Sequence, residues 1–281
     1  MRNRILGVAA LVSLWVSAAS AQPAPTPLGA GDAPATAVAE AATSDQTAAN
    51  VQGSIESSLG PYGDPFGLRA YLRTRGIEYS LTYIGETLGN PTGGARRGAI
   101  YEGRLDLQID ADLNKLAGWQ GAAFHTNFYQ IHGTGLSRYY VNNLDVVSGI
   151  EALPSTRLYE LWIEQKLLDG KAALRVGQLA ADTEFFVSQT ASVFVNSTFG
   201  WPDFTAANLP SGGPAYPLAT PGARVKLTPT DQISVLVGLF NGDPAGAGRT
   251  DNAFDPQRRN RTGTNFRVND PPLLMLEGAY A

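Results

Sequence analysis

Residues 101–113 read Tyr-Glu-Gly-Arg-Leu-Asp-Leu-Gln-Ile-Asp-Ala-Asp-Leu. The odd positions carry Tyr101, Gly103, Leu105, Leu107, Ile109, Ala111 and Leu113; the even ones carry Glu102, Arg104, Asp106, Gln108, Asp110 and Asp112. Alternation at period two is the signature of a strand with one apolar and one polar face, because successive side chains point to opposite sides of the backbone. A strand of this length exceeds the ~5–6 residues usual in soluble sheets. It also reaches the ~9–11 needed to cross hydrocarbon at a tilt.

The same period continues on both sides. Ile77 to Tyr83 sets Ile77, Tyr79, Leu81 and Tyr83 against Glu78, Ser80 and Thr82. Further strands are expected over Trp119–His132, Thr156–Leu168, Lys171–Leu179, Ala223–Thr228, Gln232–Phe240 and Leu273–Ala281. That gives about eight strands and no long helix, with a short helix expected over Leu68–Arg75 before Gly76. The connections alternate in length: a medium loop over 88–98, a short turn over 114–118, a long loop over 133–155, a two-residue Asp169-Gly170 turn, a very long loop over 180–222, a short turn over 229–231 and a long loop over 241–272. Outer-membrane barrels have short periplasmic turns and long extracellular loops, whereas long structureless loops are uncommon in compact soluble domains. Tyr79, Tyr83, Tyr101, Trp119, Tyr129, Tyr159 and Trp162 stand in or at the ends of strands, where an aromatic girdle would lie. A soluble β-sandwich or secreted sugar-binding barrel shares the alternation but not the strand length.

The N-terminus points to export. Arg2 and Arg4 precede an apolar run from Ile5 to about Ala18, and Ala19-Ser20-Ala21 supplies small residues for cleavage. Residues 1–21 are therefore read as a signal peptide. Residues 22–60, rich in Ala, Pro and Thr, lack the large apolar side chains that could offset chain entropy and read as a flexible leader. The barrel domain is expected over 61–281. Charged residues make up only 16% of the chain and its net charge is -4, which leaves no basic footprint for nucleic acid. With no Cys and two His, there is little material for a metal or thiol site and no cofactor is expected.

Several runs resemble the carbohydrate-selective outer-membrane porin (OprB-like) family. They are Tyr101-Glu-Gly-Arg-Leu-Asp-Leu with Asp112-Leu-Asn-Lys-Leu-Ala-Gly-Trp, Ser155-Thr-Arg-Leu-Tyr-Glu-Leu-Trp-Ile-Glu-Gln, and Leu174-Arg-Val-Gly-Gln-Leu-Ala-Ala-Asp-Thr-Glu-Phe-Phe. Phe194-Val-Asn-Ser-Thr-Phe-Gly-Trp-Pro and Ser211-Gly-Gly-Pro-Ala-Tyr-Pro-Leu continue the likeness, which covers roughly Pro61 to the C-terminus. The resemblance implies an all-β, antiparallel transmembrane β-barrel that lets sugars diffuse passively across the outer membrane. Members of that family are considerably longer and end on an aromatic, whereas this chain ends at Tyr280-Ala281. Eight strands leave no aqueous channel, and sixteen to eighteen do. The expectation is the N-terminal part of a longer porin with open strand edges, which lipid does not tolerate. Alone, such a piece would misassemble or aggregate.

On the porin reading the charged face of each strand is the lumen wall. Its candidates are Arg104, Asp106 and Asp110, then Glu160, Trp162, Glu164 and Lys166, then Arg175, Arg224 and Lys226. A sugar offers hydroxyls and an apolar ring face, so mixed-sign groups beside an aromatic suit it. The plainer alternative puts Trp162 in the interface belt and leaves the glutamates to solvate a wet wall. The loop after Ala180 holds Phe185, Phe186, Phe194, Phe199, Trp201, Phe204 and Tyr216. That aromatic content predicts that part of it folds into the barrel mouth, with Asp182, Glu184, Phe185 and Trp201 near the constriction; packing on other loops or a subunit partner is the alternative. His125 is expected on the lumen wall, and neither it nor His132 has the surroundings of a catalytic base. Two function classes remain: a sugar diffusion channel, and a non-conducting small barrel or secreted β protein binding through its long loops. The expected partners are outer-membrane lipid and small sugars, with homo-oligomerisation left open and nucleic acid excluded.

Overall fold

The computed structural model describes residues 9–14, 63–188, 190–247 and 254–280. The signal peptide and leader expected over 1–21 and 22–60 lie outside the described residues, apart from the backbone of 9–14. Nine strands form one sheet: β1 (Ala9–Leu14), β2 (Ile77–Asn90), β3 (Gly98–Asp112), β4 (Ala122–Gly133), β5 (Ser155–Leu167), β6 (Ala172–Leu179), β7 (Thr220–Thr230), β8 (Ile233–Asn241) and β9 (Pro272–Tyr280). Their order is β1-β9-β8-β7-β6-β5-β4-β3-β2. From β2 to β9 every strand runs antiparallel to the next in sequence. β1 lies parallel along β9, which is what an open edge offers to any apolar strand within reach. β2 pairs only with β3, so the sheet is not closed among the described residues.

The eight expected strands are all present, with moved ends. β2 continues to Asn90 and β3 begins at Gly98, so the loop expected over 88–98 shrinks to residues 91–97. The turn after β3 grows to 113–121 because it contains a helix, Leu113–Ala117. Asp112 caps that helix by accepting from the N–H groups of Asn114 and Lys115, and Gly118 ends it at φ 69°. The strict alternation of long and short connections therefore fails at the first pair and holds from β4 onward. The Asp169-Gly170 turn is also corrected. Leu167 pairs with Ala172, and residues 168–171 make a four-residue loop in which Leu168 and Asp169 as well as Gly170 have positive φ. The helix expected over 68–75 spans Leu68–Thr74.

The register assigns the faces. Tyr79, Ile109 and Thr126 lie side by side on one face, as do Leu81, Leu107 and Phe128. That face also carries the exposed Leu81, Tyr83, Tyr101, Phe128, Ile163, Leu174, Val176, Leu239, Leu274 and Leu276. The opposite face carries Asp110, His125 and Trp162 in one row and Glu164, Arg175 and Arg224 in another. The loop between β6 and β7 folds onto this second face. It seats Phe185 against Phe240, Leu273, Met275 and Leu179, so the apolar core lies inside the curve rather than between two sheets.

A β-bulge at Thr126/Phe128 shifts the β4–β5 register. It lets Tyr159 and Glu160, adjacent in sequence, both bury their side chains. The aromatic residues divide accordingly. Tyr79, Tyr83 and Tyr101 stand on the outer face, whereas Tyr129, Tyr159 and Trp162 turn inward and are not part of a girdle. Among the described residues no helix is long and apolar enough to cross a membrane.

Gly177 has φ 152°, and a Cβ there would sit 2.2 Å from the Leu161 carbonyl oxygen and 2.6 Å from Trp162 Cα. Gly177→Ala should therefore break the β5–β6 ladder beside Trp162 and abolish the heat-modifiable folded band on electrophoresis. Gly170→Ala, in open space at φ 86°, should cost only roughly 1–2 kcal/mol and keep that band.

Candidate functional site on the inner face

Four charged side chains from three strands and the covering loop form one network. Glu164 of β5 lies 3.0 Å from Arg175 of β6 and 2.8 Å from Arg224 of β7. Glu184, brought down by the loop, binds both arginines as well. The network is electrically neutral and nearly closed to solvent, with the Arg224 side chain 1% and the Glu184 side chain 8% exposed. Burying two guanidinium groups is tolerable only because each is met by two carboxylates. Lys226 follows Arg224 on the same face of β7.

Beside the network lies an aromatic and histidine relay. The Trp162 indole sits between His125 of β4, with ring centroids 4.8 Å apart, and Arg175 of β6, whose guanidinium carbon is 3.6 Å from the ring centroid. His125 Nδ1 is 2.7 Å from Asp110 of β3. The indole is thus flanked by protein on both sides and holds Arg175 in place.

A second cluster surrounds Arg104. Its guanidinium lies 4.6 Å from the centroid of Tyr129 and 5.1 Å from that of Tyr216, with Asp106 at 4.0 Å. Asp106 accepts from Asn127 at 2.7 Å and Gln108 at 3.1 Å. Tyr159 packs on Tyr129 and donates its hydroxyl to Asp182 at 2.9 Å. Asp182 also accepts from the Tyr216 N–H at 2.8 Å; burial raises its carboxyl above the ordinary range. Glu160 accepts from the Ala180 N–H at 3.1 Å, so the loop's first residue is fastened to β5.

The structure therefore places Arg104, Asp106, Asp110, Glu160, Trp162, Glu164, Arg175, Arg224 and Lys226 on one face, and brings Asp182, Glu184 and Phe185 to it from the loop. Trp201 packs against the cluster that holds Phe185, edge-on to Phe186, and donates Nε1–H to the Gly212 carbonyl at 3.0 Å. Lys166, at the short-turn end, is exposed. Arg157 was missed. It is 2% exposed and donates to the carbonyl oxygens of Pro217, Asn260 and Arg261, tying two long loops to β5. The β4–β5 bulge turns it inward against the parity of Glu160, Trp162 and Glu164, and neither that nor its partners, up to 104 residues away, was readable from the sequence. Between the loops after β4 and β6 is a cavity of about 320 Å³ whose lining includes Phe186, Phe194, Phe199, Trp201, Asp182 and Tyr216.

A protein-family model described as "Carbohydrate-selective porin, OprB family" matches residues 96–281. The chain belongs to the OprB family. It is 26% identical over 131 residues to Porin B of Pseudomonas aeruginosa, a match covering 44% of this chain and 29% of that protein. Its fold is similar to the high-pH structure of Pseudomonas putida OprB, with a TM-score of 0.57 and 27% identity over 66% of this chain and 45% of that one. The chain thus matches less than half the length of these OprB-family relatives. An open antiparallel sheet is what part of such a barrel should be, and the family is one of channels in the outer membrane.

Two outcomes test the covering loop. Glu184→Gln removes half the negative charge facing Arg175 and Arg224; breaking a buried pair costs about 3–5 kcal/mol. Residues 180–219 should then become sensitive to limited proteolysis while the strands stay protected. At the loop's outer part, burial and the neighbouring Asp145 push the Asp203 carboxyl up to about 6. A raised folded-state value means the proton favours the folded contact, so its contribution is complete below about 4 and is lost as pH rises through about 6. Amide exchange in the helix Asp203–Asn208 should accelerate beyond its intrinsic pH dependence around that point, and Asp145→Asn should move the midpoint down.

Proposed function

We propose that this chain supplies part of the wall and the constriction loop of an outer-membrane channel for passive, carbohydrate-selective diffusion of sugars into the periplasm. The observation that carries this reading is the chemistry of the inner face. Mixed-sign groups and tyrosines converge there, with the Asp110 side chain 48% exposed beside His125 and Lys226 half-buried beside the closed Arg224. Neutral hydroxyl-rich permeants can exchange hydrogen bonds with such exposed groups without bringing a charge. Selectivity then follows from pore radius and from the donors and acceptors along the wall. The fixed orientation of Arg175 against Trp162 fits a positioning role for that indole.

In this reading residues 1–21 direct export, 22–60 form a leader and 61–281 belong to the barrel. The loop between β6 and β7 narrows the channel at Glu184 and Phe185, and the aromatic cavity of about 320 Å³ forms part of the vestibule above it. Support comes from the family membership and from the Porin B and OprB relatives.

Planar-bilayer recording of the full-length protein should give conductance steps that a neutral monosaccharide blocks saturably. Asp110→Asn keeps the shape but loses the charged acceptor, on a wall side chain that is 48% exposed. It should raise the half-blocking sugar concentration about tenfold, as expected for one charge-assisted hydrogen bond, with salt conductance changed little. Absence of channels, or block that never saturates, would sink the proposal.

A further inference from the structure

The helix before β2 is fastened across the start of that strand. Asp64 accepts from the N–H groups of Arg69, at 2.7 Å, and Ala70, at 3.2 Å, which fixes the start of the helix Leu68–Thr74. Arg69 then reaches β2. Its guanidinium lies 4.7 Å from the Tyr79 ring centroid and donates to the Tyr79 carbonyl at 3.1 Å. Tyr79 pairs with Ile109 on the apolar outer face. One turn later Arg73 lies 3.5 Å from Glu78. Arg69 and Arg73 therefore hold one side of the helix to the strand, and Leu68, Tyr71 and Arg75 occupy the other, since residues three and four apart share a face.

That other side is continuous with the first short turn. Gly76 packs so closely on it that a Cβ there would sit 2.8 Å from Lys115 Cβ, and Asp112 N–H donates to the Gly76 carbonyl at 2.7 Å. Lys115 is thereby placed next to Arg75. The nearby carboxylates are already engaged: Asp64 and Asp112 cap helices and Glu78 meets Arg73. Arg75 stacks on Tyr71 at 4.8 Å, and neither it nor Lys115 has a carboxylate partner among the described residues. Leu68, Tyr71, Leu116 and Trp119 are each 44–53% exposed around these two cations. Two unpaired cations ringed by aromatic and aliphatic side chains, at the edge of a lipid-facing wall, match a headgroup with acyl chains beneath it.

The helix lies at the end of the sheet that carries the turns 113–121, 168–171 and 231–232, which is the periplasmic end of such a barrel. We propose that Arg75 and Lys115, flanked by Leu68, Tyr71, Leu116 and Trp119, form a site for the phosphate of an anionic phospholipid in the periplasmic leaflet. The site anchors the start of β2 against the membrane, and it depends on the barrel's orientation but not on what the pore conducts.

The test is native mass spectrometry of the protein purified from outer membranes in mild detergent and titrated with phosphatidylglycerol or phosphatidylcholine. Each basic residue at an anionic surface is worth roughly fivefold in affinity, so R75Q/K115Q should weaken phosphatidylglycerol binding about 25-fold and leave the weak phosphatidylcholine binding unchanged. R75K/K115R should restore it, and R96Q/R97Q, at the opposite end of β2 and β3, should have no effect. The heat-modifiable band certifies that each variant is folded. Equal binding of the two lipids, retention by R75Q/K115Q, or equal loss in R96Q/R97Q would overturn the proposal. A channel lacking sugar block but keeping this lipid preference would count against the permeation reading alone.

Discussion

Lipid offers no hydrogen bonds, so a chain that crosses it with strands must satisfy every backbone N–H and C=O through its neighbours. Much else in this protein follows from that constraint. It demands long, antiparallel, in-register ladders, and β2 and β3 pair over fourteen consecutive residues. It also makes an unpaired edge costly. Once the ladders are fixed, pleat parity leaves each side chain only two directions, toward acyl chains or toward the interior.

The interior solves a second problem, because charged walls packed by a loop lose their water. The loop after β6 arrives with a carboxylate, Glu184, for two arginines that Glu164 alone would leave undercompensated. It is fastened at its base by Glu160 and at Tyr216 by Asp182, and weighted by Phe185 in an apolar pocket. Burying that phenyl ring contributes on the order of 2–3 kcal/mol. The loop is thus fixed where it would narrow a channel, while its outer part keeps exposed aromatics such as Phe194 and Phe199.

Much of the fold was legible in the sequence, and the inner face nearly as much. Tyr101 to Leu113 announced its two faces, and the ten charged or aromatic residues chosen by parity from β3, β5, β6 and β7 share one face. The misses have local causes. Leu168 and Asp169 take positive φ, which no propensity for ordinary side chains foretells, so the Asp-Gly pair was read as a tighter turn. The bulge at Thr126/Phe128 turns Tyr159 inward against simple parity. The same bulge turns Arg157 inward, and its partners are loop carbonyls far along the chain.

The sequence by itself determined the strand period, the two faces and the resemblance to a porin family, because these are properties of neighbouring residues and of short runs. Only the tertiary structure decided that Glu184 would meet an arginine forty residues away, that Trp162 would lie between His125 and Arg175, and that the helix Leu68–Thr74 would fasten to the start of β2 through Arg69 and Arg73. Those outcomes depend on loop closure and on which buried charges can find partners, and neither is written in any local pattern.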